Sequence, residues 1–179
     1  MILTQDFFHQ PTLKIAPELL GKTLVRKFGK KISSGLVTEV EAYVGMEDKA
    51  CHAAKGKTPR TKIMFEPGGY WYVYLCYGMY WMLNIVTEKK EFPAAILIRG
   101  FWTEKKHYNG PGKLTKFLKI DKTLNGTFAE PKTGLWFEDE GYKVSKKEIR
   151  TGKRIGIGYA GEWQHKPWRF YFEPKENII

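Results

Sequence analysis

Residues 68–86 restrict the fold more than any other part of the chain. Two runs rich in aromatic and β-branched residues, 71–76 and 81–86, flank the tetrapeptide Tyr77-Gly78-Met79-Tyr80. Such residues favour extended strands, and a short glycine-containing turn between two such runs predicts a β-hairpin. The turn offers large apolar side chains, whereas loop tips usually carry small polar ones. An exposed apolar tip indicates a surface that enters an apolar environment, such as a stack of bases.

Residues 36–44 predict a second strand, in which side chains alternate between two faces. Strict alternation places four of them on one face: Val37, Glu39, Glu41 and Tyr43. Glu47 and Asp48 follow, so this segment is the main acidic patch of a basic chain. Each carboxylate either forms a salt bridge with nearby lysines or has a chemical role, and the pattern alone leaves both alternatives open.

Residues 51–62 change in composition to Ala, Gly, Thr and Pro, interspersed with lysines and Arg60. This composition is typical of a basic loop that lies along phosphates. His52 opens the loop, and a lone histidine is structural or functional. Cys51 stands beside it, and we expect a reactive thiol there.

Residues 92–100 predict an apolar strand, and Arg99 lies near its end. A guanidinium in that position either pairs with a core carboxylate or orients an anion. The turn 109–112 predicts the start of a helix, because apolar residues follow at helical spacing. Residues 121–150 alternate Lys and Glu with turn residues, which predicts a peripheral hairpin and loops.

The composition indicates the class of partner. The 30 Lys and Arg against 19 Asp and Glu give a net charge of +11, which favours a polyanionic partner, and nucleic acid before a membrane surface. The length of 179 residues predicts one domain spanning residues 1–179, large enough to need no metal or disulfide support. The two cysteines and four histidines show no zinc-site spacing, so we expect a reducing compartment.

Several other classes are disfavoured. Gly156-Ile157-Gly158 lacks the third glycine and the following helix of a dinucleotide site, so we expect no nucleotide cofactor, and no cofactor of any kind. The first residues lack the pattern of a signal peptide, and no apolar run approaches the ~18 residues of a membrane span. We therefore expect an intracellular protein with no membrane partner, cytoplasmic and nucleoid-associated in a prokaryote or nuclear in a eukaryote.

Taken together, six segments resemble the alkyladenine (3-methyladenine) DNA glycosylase family, in order and spacing from about residue 19 to residue 172. The segments are Thr38-Glu39-Val40-Glu41-Ala42-Tyr43, Asp48-x-x-x-His52, Tyr72-Val73-Tyr74-x-x-Tyr77-Gly78-Met79-Tyr80 with Asn84, Leu97-Ile98-Arg99, Gly110-Pro111-Gly112-Lys113-Leu114, and Gly158-Tyr159-Ala160-Gly161-Glu162-Trp163. The resemblance implies an α+β (mixed α/β) fold. It further implies a single compact domain with a curved, mainly antiparallel sheet, a protruding hairpin and peripheral helices.

The resemblance also implies how DNA is bound. The hairpin would enter the minor groove of duplex DNA, and Tyr77 would fill the gap left by a flipped nucleotide. The flipped purine would lie between Tyr43 on one side and His52 with Tyr74 on the other. The remaining candidate contacts are Ala50, Leu97 and Asn84 to the base, with Asn84 excluding the amine of guanine, and Thr58, Arg60, Met79 and Tyr80 to the DNA backbone.

The implied reaction is direct hydrolysis of the N-glycosidic bond. Glu41 would act as the general base on a water molecule that Arg99 and the carbonyl of Ile155 hold. No lysine matches an amine nucleophile, so a monofunctional enzyme that works as a monomer is expected. Which lesion is preferred among alkylated and deaminated purines stays open, as does the effect on Arg99 of the loop 87–92.

Two other functions compete with this one. A non-enzymatic module could bind nucleic acid through a basic, aromatic sheet, and it would have no need of Glu41. A nuclease or transferase could hold magnesium with four carboxylates: Glu39, Glu41, Glu47 and Asp48.

Overall fold

The computed structural model describes residues 1–174, which contain three short α-helices and nine strands. The helices are α1 (Gln5–Phe8), α2 (Thr12–Glu18) and α3 (Pro111–Phe117). The strands are β1 (Thr23–Phe28), β2 (Lys31–Val44), β3 (Trp71–Cys76), β4 (Tyr80–Val86), β5 (Ala94–Thr103), β6 (Lys106–Asn109), β7 (Leu135–Glu138), β8 (Arg150–Gly152) and β9 (Arg169–Tyr171). Short 3-10 helices connect them, among them His52–Lys55, Lys62–Phe65 and Gly158–His165.

All nine strands join one sheet, and within residues 1–174 every pair of neighbouring strands is antiparallel. Its main order is β3-β4-β5-β2-β1-β7, with β6 beside β5 and the β8–β9 pair beside β2. The long strand β2 therefore lies at the centre, and it contacts β1, β5 and β9. The prediction of an α+β fold with a mainly antiparallel sheet is confirmed.

The three helices cover one face of the sheet, where the main core lies. Alternate residues of the central strands point into that core, including Val40 and Ala42 of β2 and Ile96 and Ile98 of β5. Apolar residues from the helices, such as Ile15 of α2, pack on them. The side chains between these positions, such as Glu41 and Leu97, must point to the opposite face.

That opposite face carries a second, smaller cluster. Its buried members are Cys51, Ala53, Met64, Phe65, Tyr72, Val86 and Ala95, and Tyr43 and Tyr74 pack on its edge. The two 3-10 helices of residues 52–55 and 62–65 supply the cover, because the basic loop folds back over this face. Among residues 1–174, no helix is long and apolar enough to cross a membrane.

Two sequence-based expectations are wrong in detail. Val37 does not share a face with Glu39, because the β2–β5 register shifts between Val37 and Val40 and returns Val37 to the main core. Gly100 accommodates this irregularity, since a Cβ there would clash with Thr38 Oγ1. Residues 121–150 are not wholly peripheral either, because β7 extends the central sheet and its residues Leu135 and Phe137 are fully buried.

Candidate active site

A cavity of about 380 Å³, a size suited to a small ligand, opens on the face of the sheet opposite the main core. Four neighbouring strands, β2 to β5, contribute alternate side chains to it, and two loops close its sides. It brings together ten of the predicted site residues: Tyr43, Ala50, His52, Arg60, Tyr74, Tyr77, Asn84, Leu97, Arg99 and Ile155. Residues up to 112 positions apart in sequence, Tyr43 and Ile155, thus share one site.

Glu41 lies beneath this cavity with no exposed side-chain surface. The backbone N–H of Ile155 donates a hydrogen bond of 2.7 Å to its Oε1, and the Tyr43 hydroxyl donates one of 2.8 Å to its Oε2. Arg99 Nε lies 3.4 Å from Oε1. Burial raises the pKa of Glu41 above its ordinary value, and these three neighbours oppose that rise. The carboxylate is thus desolvated but supplied with partners.

Of the two roles considered for Arg99, the structure shows pairing with a buried carboxylate. Its Nε donates to Glu39 Oε1 at 2.9 Å, closer than it lies to Glu41. Arg169 of β9 also reaches Glu39 Oε1, at 3.3 Å. Glu39 therefore holds Arg99 beside Glu41. The two glutamates share one face of β2, as alternation predicts.

The side walls of the cavity are aromatic. Tyr74 and His52 meet with ring centres 4.6 Å apart, and Tyr43 lines the same cavity. His52 Nδ1 is 2.9 Å from the Tyr72 hydroxyl, which fixes the imidazole plane. Burial, with help from Arg60 and a neighbouring lysine, lowers the pKa of His52 to about 4. The imidazole is therefore neutral at pH 7 and does not repel a cationic ring.

Three further residues line the end of the cavity. Asn84 is buried and donates from Nδ2 to the Tyr72 carbonyl at 3.0 Å, which fixes the side-chain amide. Leu97 supplies an apolar surface. Ala50 also lines the cavity, and its N–H donates to Asp48 Oδ1 at 3.0 Å, so this donor is already engaged. Contact between Ala50 and a base stays a prediction.

The hairpin tip protrudes as the sequence predicts. Tyr77 is 87% exposed, and it and Gly78 both adopt positive φ, 49° and 68°. This conformation is uncommon for an aromatic residue. Met79 is also exposed, and Tyr80 is 50% exposed although one side of its ring rests against Gly112 of α3. Only part of the tip is therefore free to enter a partner.

The two loop residues predicted to touch DNA differ in position. Arg60 is exposed, and its guanidinium carbon lies 4.9 Å from the centre of the Tyr74 ring, at the rim of the cavity. Thr58 has its hydroxyl 2.9 Å from that of Thr61, in a local turn. Arg60 therefore also belongs to the cavity itself, which the sequence did not suggest.

One secondary expectation is wrong, and the structure bears on one question that the sequence left open. Cys51 is buried, and burial raises the pKa of its thiol to about 12, so it is not a reactive residue. The loop 87–92 does not approach Arg99. It is fixed by Glu88, which accepts a 2.6 Å hydrogen bond from the N–H of Thr12, and it joins the end of β5 that lies about 17 Å from Arg99.

Sequence reasoning missed Arg154. Its guanidinium is fully buried and forms a bidentate ion pair with Asp48, in which Nη2 donates to Oδ1 at 2.8 Å. It also donates to the Ala42 carbonyl at 2.9 Å and lies 4.7 Å from the centre of the Tyr43 ring. One signal was available, because Arg154 directly precedes Ile155. Nothing local, however, indicates a partner 106 residues away.

The acidic residues of the β2 segment do not converge on a cation. Glu39 is engaged by two arginines and Asp48 by Arg154. Within residues 1–174, no group of three or more His, Cys, Asp or Glu side chains could hold a metal ion. The magnesium hypothesis therefore has no support in this arrangement of donors.

Comparison with known proteins identifies close relatives. The family model described as methylpurine-DNA glycosylase (MPG) matches residues 6–176. A protein of Methanocella arvoryzae, provisionally named 3-methyladenine DNA glycosylase, is 46% identical over 95% of this chain and 92% of its own length. A Legionella pneumophila protein with the same provisional name is 42% identical over 98% of this chain and 97% of its own length. A Rickettsia peacockii protein of that name is 43% identical over 99% and 93%.

Proposed function

This chain belongs to the methylpurine-DNA glycosylase family, and we propose that it is a monofunctional base-excision-repair enzyme acting on alkylated or deaminated purines in duplex DNA. The family implies DNA as the substrate and hydrolysis as the reaction. We further propose that the enzyme flips the damaged nucleotide into the cavity and works as a monomer. The observation that carries this proposal is Glu41, a fully buried carboxylate directly beneath an aromatic-walled cavity.

Binding would begin at the hairpin tip. Tyr77 is the most exposed tyrosine of the tip and stands at the mouth of the cavity. Extruding a base costs a few kcal/mol of stacking, and an aromatic side chain inserted in its place recovers about 1–3 kcal/mol. The protruding Tyr77 is thus suited to hold the gap open while Met79 contacts the adjacent backbone. The net charge of +11 favours approach to the duplex.

Recognition would follow from the walls of the cavity. The flipped purine would stack between Tyr43 and the Tyr74–His52 pair. Aromatic faces attract cationic rings such as N-alkylated purines, and a neutral imidazole leaves that attraction intact. Asn84, held by the Tyr72 carbonyl, cannot turn aside, so it would clash with the exocyclic amine of guanine.

Hydrolysis would use Glu41 as the general base. As water attacks C1′ of the sugar, the new C–O bond forms, the water proton passes to Glu41, and the electron pair of the C1′–N bond leaves with the base. A cationic alkylated base departs neutral and needs no proton donor, whereas a neutral deaminated base departs as an anion and takes up a proton from solvent. The negative charge of Glu41 would also stabilise the positive charge that develops on the sugar. Arg99 and the backbone carbonyl of Ile155 would hold this water against C1′.

The proposal is tested by single-turnover excision from duplexes that carry hypoxanthine, ethenoadenine, 7-methylguanine or an ordinary purine at one position. Release of the free damaged base, an intact abasic strand and full activity in excess chelator are expected. Borohydride trapping of a protein–DNA adduct would contradict a monofunctional mechanism. Binding to every duplex without release of any base would instead favour the binding module.

A further inference from the structure

Tyr43 contacts two parts of the site at once. Its ring lines the cavity in which the purine would stack, and its hydroxyl donates a 2.8 Å hydrogen bond to Glu41 Oε2. The two residues are neighbours on one face of β2, two positions apart. The base-binding wall and the buried carboxylate are therefore joined by a single side chain.

The two carboxylate oxygens of Glu41 are used unequally. Oε1 faces both the Ile155 N–H at 2.7 Å and Arg99 Nε at 3.4 Å. Among the described residues, Oε2 accepts a hydrogen bond from Tyr43 alone. A carboxylate has about four lone-pair sites. Oε2 therefore keeps one lone-pair site, which is available to accept the proton of the attacking water.

We propose that Tyr43 is a positioning residue whose hydroxyl orients Glu41 and keeps its carboxylate ionised, in addition to the wall that its ring provides. This inference rests on the proposed function, because it assigns the hydroxyl a part in the hydrolysis step. The Tyr43 O–H keeps its own proton throughout, and only the water proton moves to Glu41.

The arginines around Glu41 are not dedicated to stabilising its negative charge. Arg99 of β5 is nearer to Glu39 than to Glu41, and Arg169 of β9 is also drawn to Glu39. Arg154 lies on the tyrosine ring, and its charge is matched by Asp48. Each nearby guanidinium is thus shared with another carboxylate.

The direction of the pKa shifts agrees with this arrangement. Burial raises the pKa of Glu41, and the charge of Glu39 adds to the rise, whereas Arg99, the Ile155 N–H and the Tyr43 hydroxyl lower it. Burial and Glu41 hold the pKa of Tyr43 well above its usual value, so the phenol stays protonated and remains a donor. Removing the hydroxyl leaves the carboxylate with fewer partners, and it gains a proton more readily.

The test is the pH profile of single-turnover excision by the wild type and by Tyr43→Phe, which keeps the ring but removes the hydroxyl. The acid limb of the variant should move to higher pH, and on that limb its rate should be about 10- to 150-fold lower, because a hydrogen bond to a charged group contributes about 1.5–3 kcal/mol, at 1.36 kcal/mol per tenfold. At alkaline pH, where Glu41 is ionised in both proteins, the difference between the two rates should shrink to the part that orientation alone contributes. Tyr70→Phe, which removes a phenol outside the site, should leave the profile unchanged.

Two further arms keep the test decisive. Replacing Tyr43 with 3-fluorotyrosine keeps the shape and strengthens the donor, so the acid limb should move to lower pH even if Tyr43→Phe folds poorly. Profiles of both variants that coincide with wild type, or a rate loss equal at every pH, would overturn the inference. Glu41→Gln distinguishes failure of the proposed function from failure of the role assigned to the Tyr43 hydroxyl. An active Glu41→Gln variant would refute the proposed function. An inactive Glu41→Gln variant together with a Tyr43→Phe variant that behaves like wild type would refute only the role of the hydroxyl.

Discussion

The buried ion pair between Asp48 and Arg154 should dominate the stability of the site. Both side chains have no exposed surface, and two hydrogen bonds join them. Asp48 also accepts from the N–H of Ala50, and Arg154 precedes Ile155, which holds Glu41. Replacing Asp48 with asparagine keeps the shape but leaves a buried guanidinium without its counter-charge. Breaking one side of such a pair costs about 3–5 kcal/mol.

The measurement is thermal unfolding of Asp48→Asn beside a matched surface variant. At about 2–4 °C per kcal/mol for a chain of this size, the Tm of Asp48→Asn should fall by roughly 6–20 °C. Glu91→Gln breaks the ion pair of Glu91 with Lys57, whose side chains are 59% and 46% exposed, and it should cost less than about 1 kcal/mol. Equal Tm values for the two variants would refute the reasoning from burial.

Three other predictions concern single side chains. Tyr77→Ala should leave Tm unchanged, since Tyr77 is exposed. It should lower the equilibrium constant for flipping of ethenoadenine, measured by fluorescence, by about 5- to 150-fold, because about 1–3 kcal/mol of stacking is lost. Flipping equal to wild type would exclude the proposed insertion of Tyr77 into the base stack. The pKa of His52 is lowered to about 4, so as pH falls the unfolded chain takes up this proton before the folded chain does. The free energy of unfolding should therefore decrease between about pH 6.5 and pH 4. In urea titrations His52→Gln should show a weaker dependence of this free energy on pH, and an unchanged dependence would refute the shift. Iodoacetamide at pH 8 should label Cys76 before Cys51, whose thiol is buried with a pKa of about 12; peptide mapping that finds Cys51 labelled first would contradict this.

Local patterns predicted the elements that carry the site. Alternation in β2 places Glu39, Glu41 and Tyr43 on one face, and the structure agrees. The aromatic hairpin was predictable from two β-favouring runs around Tyr77-Gly78. In each case, the physical cause lies within a few residues, because side chains alternate along any regular stretch of a strand.

Long-range pairings were not predictable in the same way. The register shift that returns Val37 to the core depends on Gly100, a residue of another strand. The addition of β7 to the sheet depends on pairing with β1, more than 100 residues earlier. The Asp48–Arg154 ion pair likewise joins distant segments. The resemblance to a family named the cavity residues, but it did not name the residues that hold them in place.

The role of Glu41 is tested most directly by comparing Glu41→Gln with wild type on one lesion-containing duplex, with rate and affinity measured separately. Glutamine keeps the shape of Glu41 but can neither accept the water proton nor carry charge, so the single-turnover rate should fall by about 10²–10⁴-fold or more. Affinity for the duplex should stay within about twofold, because Glu41 lies beneath the cavity and not at its surface. Glu47→Gln, an exposed carboxylate near the same strand, should excise at the wild-type rate. A wild-type rate in Glu41→Gln, or a loss explained wholly by weaker binding, would contradict the assignment of Glu41 as the general base.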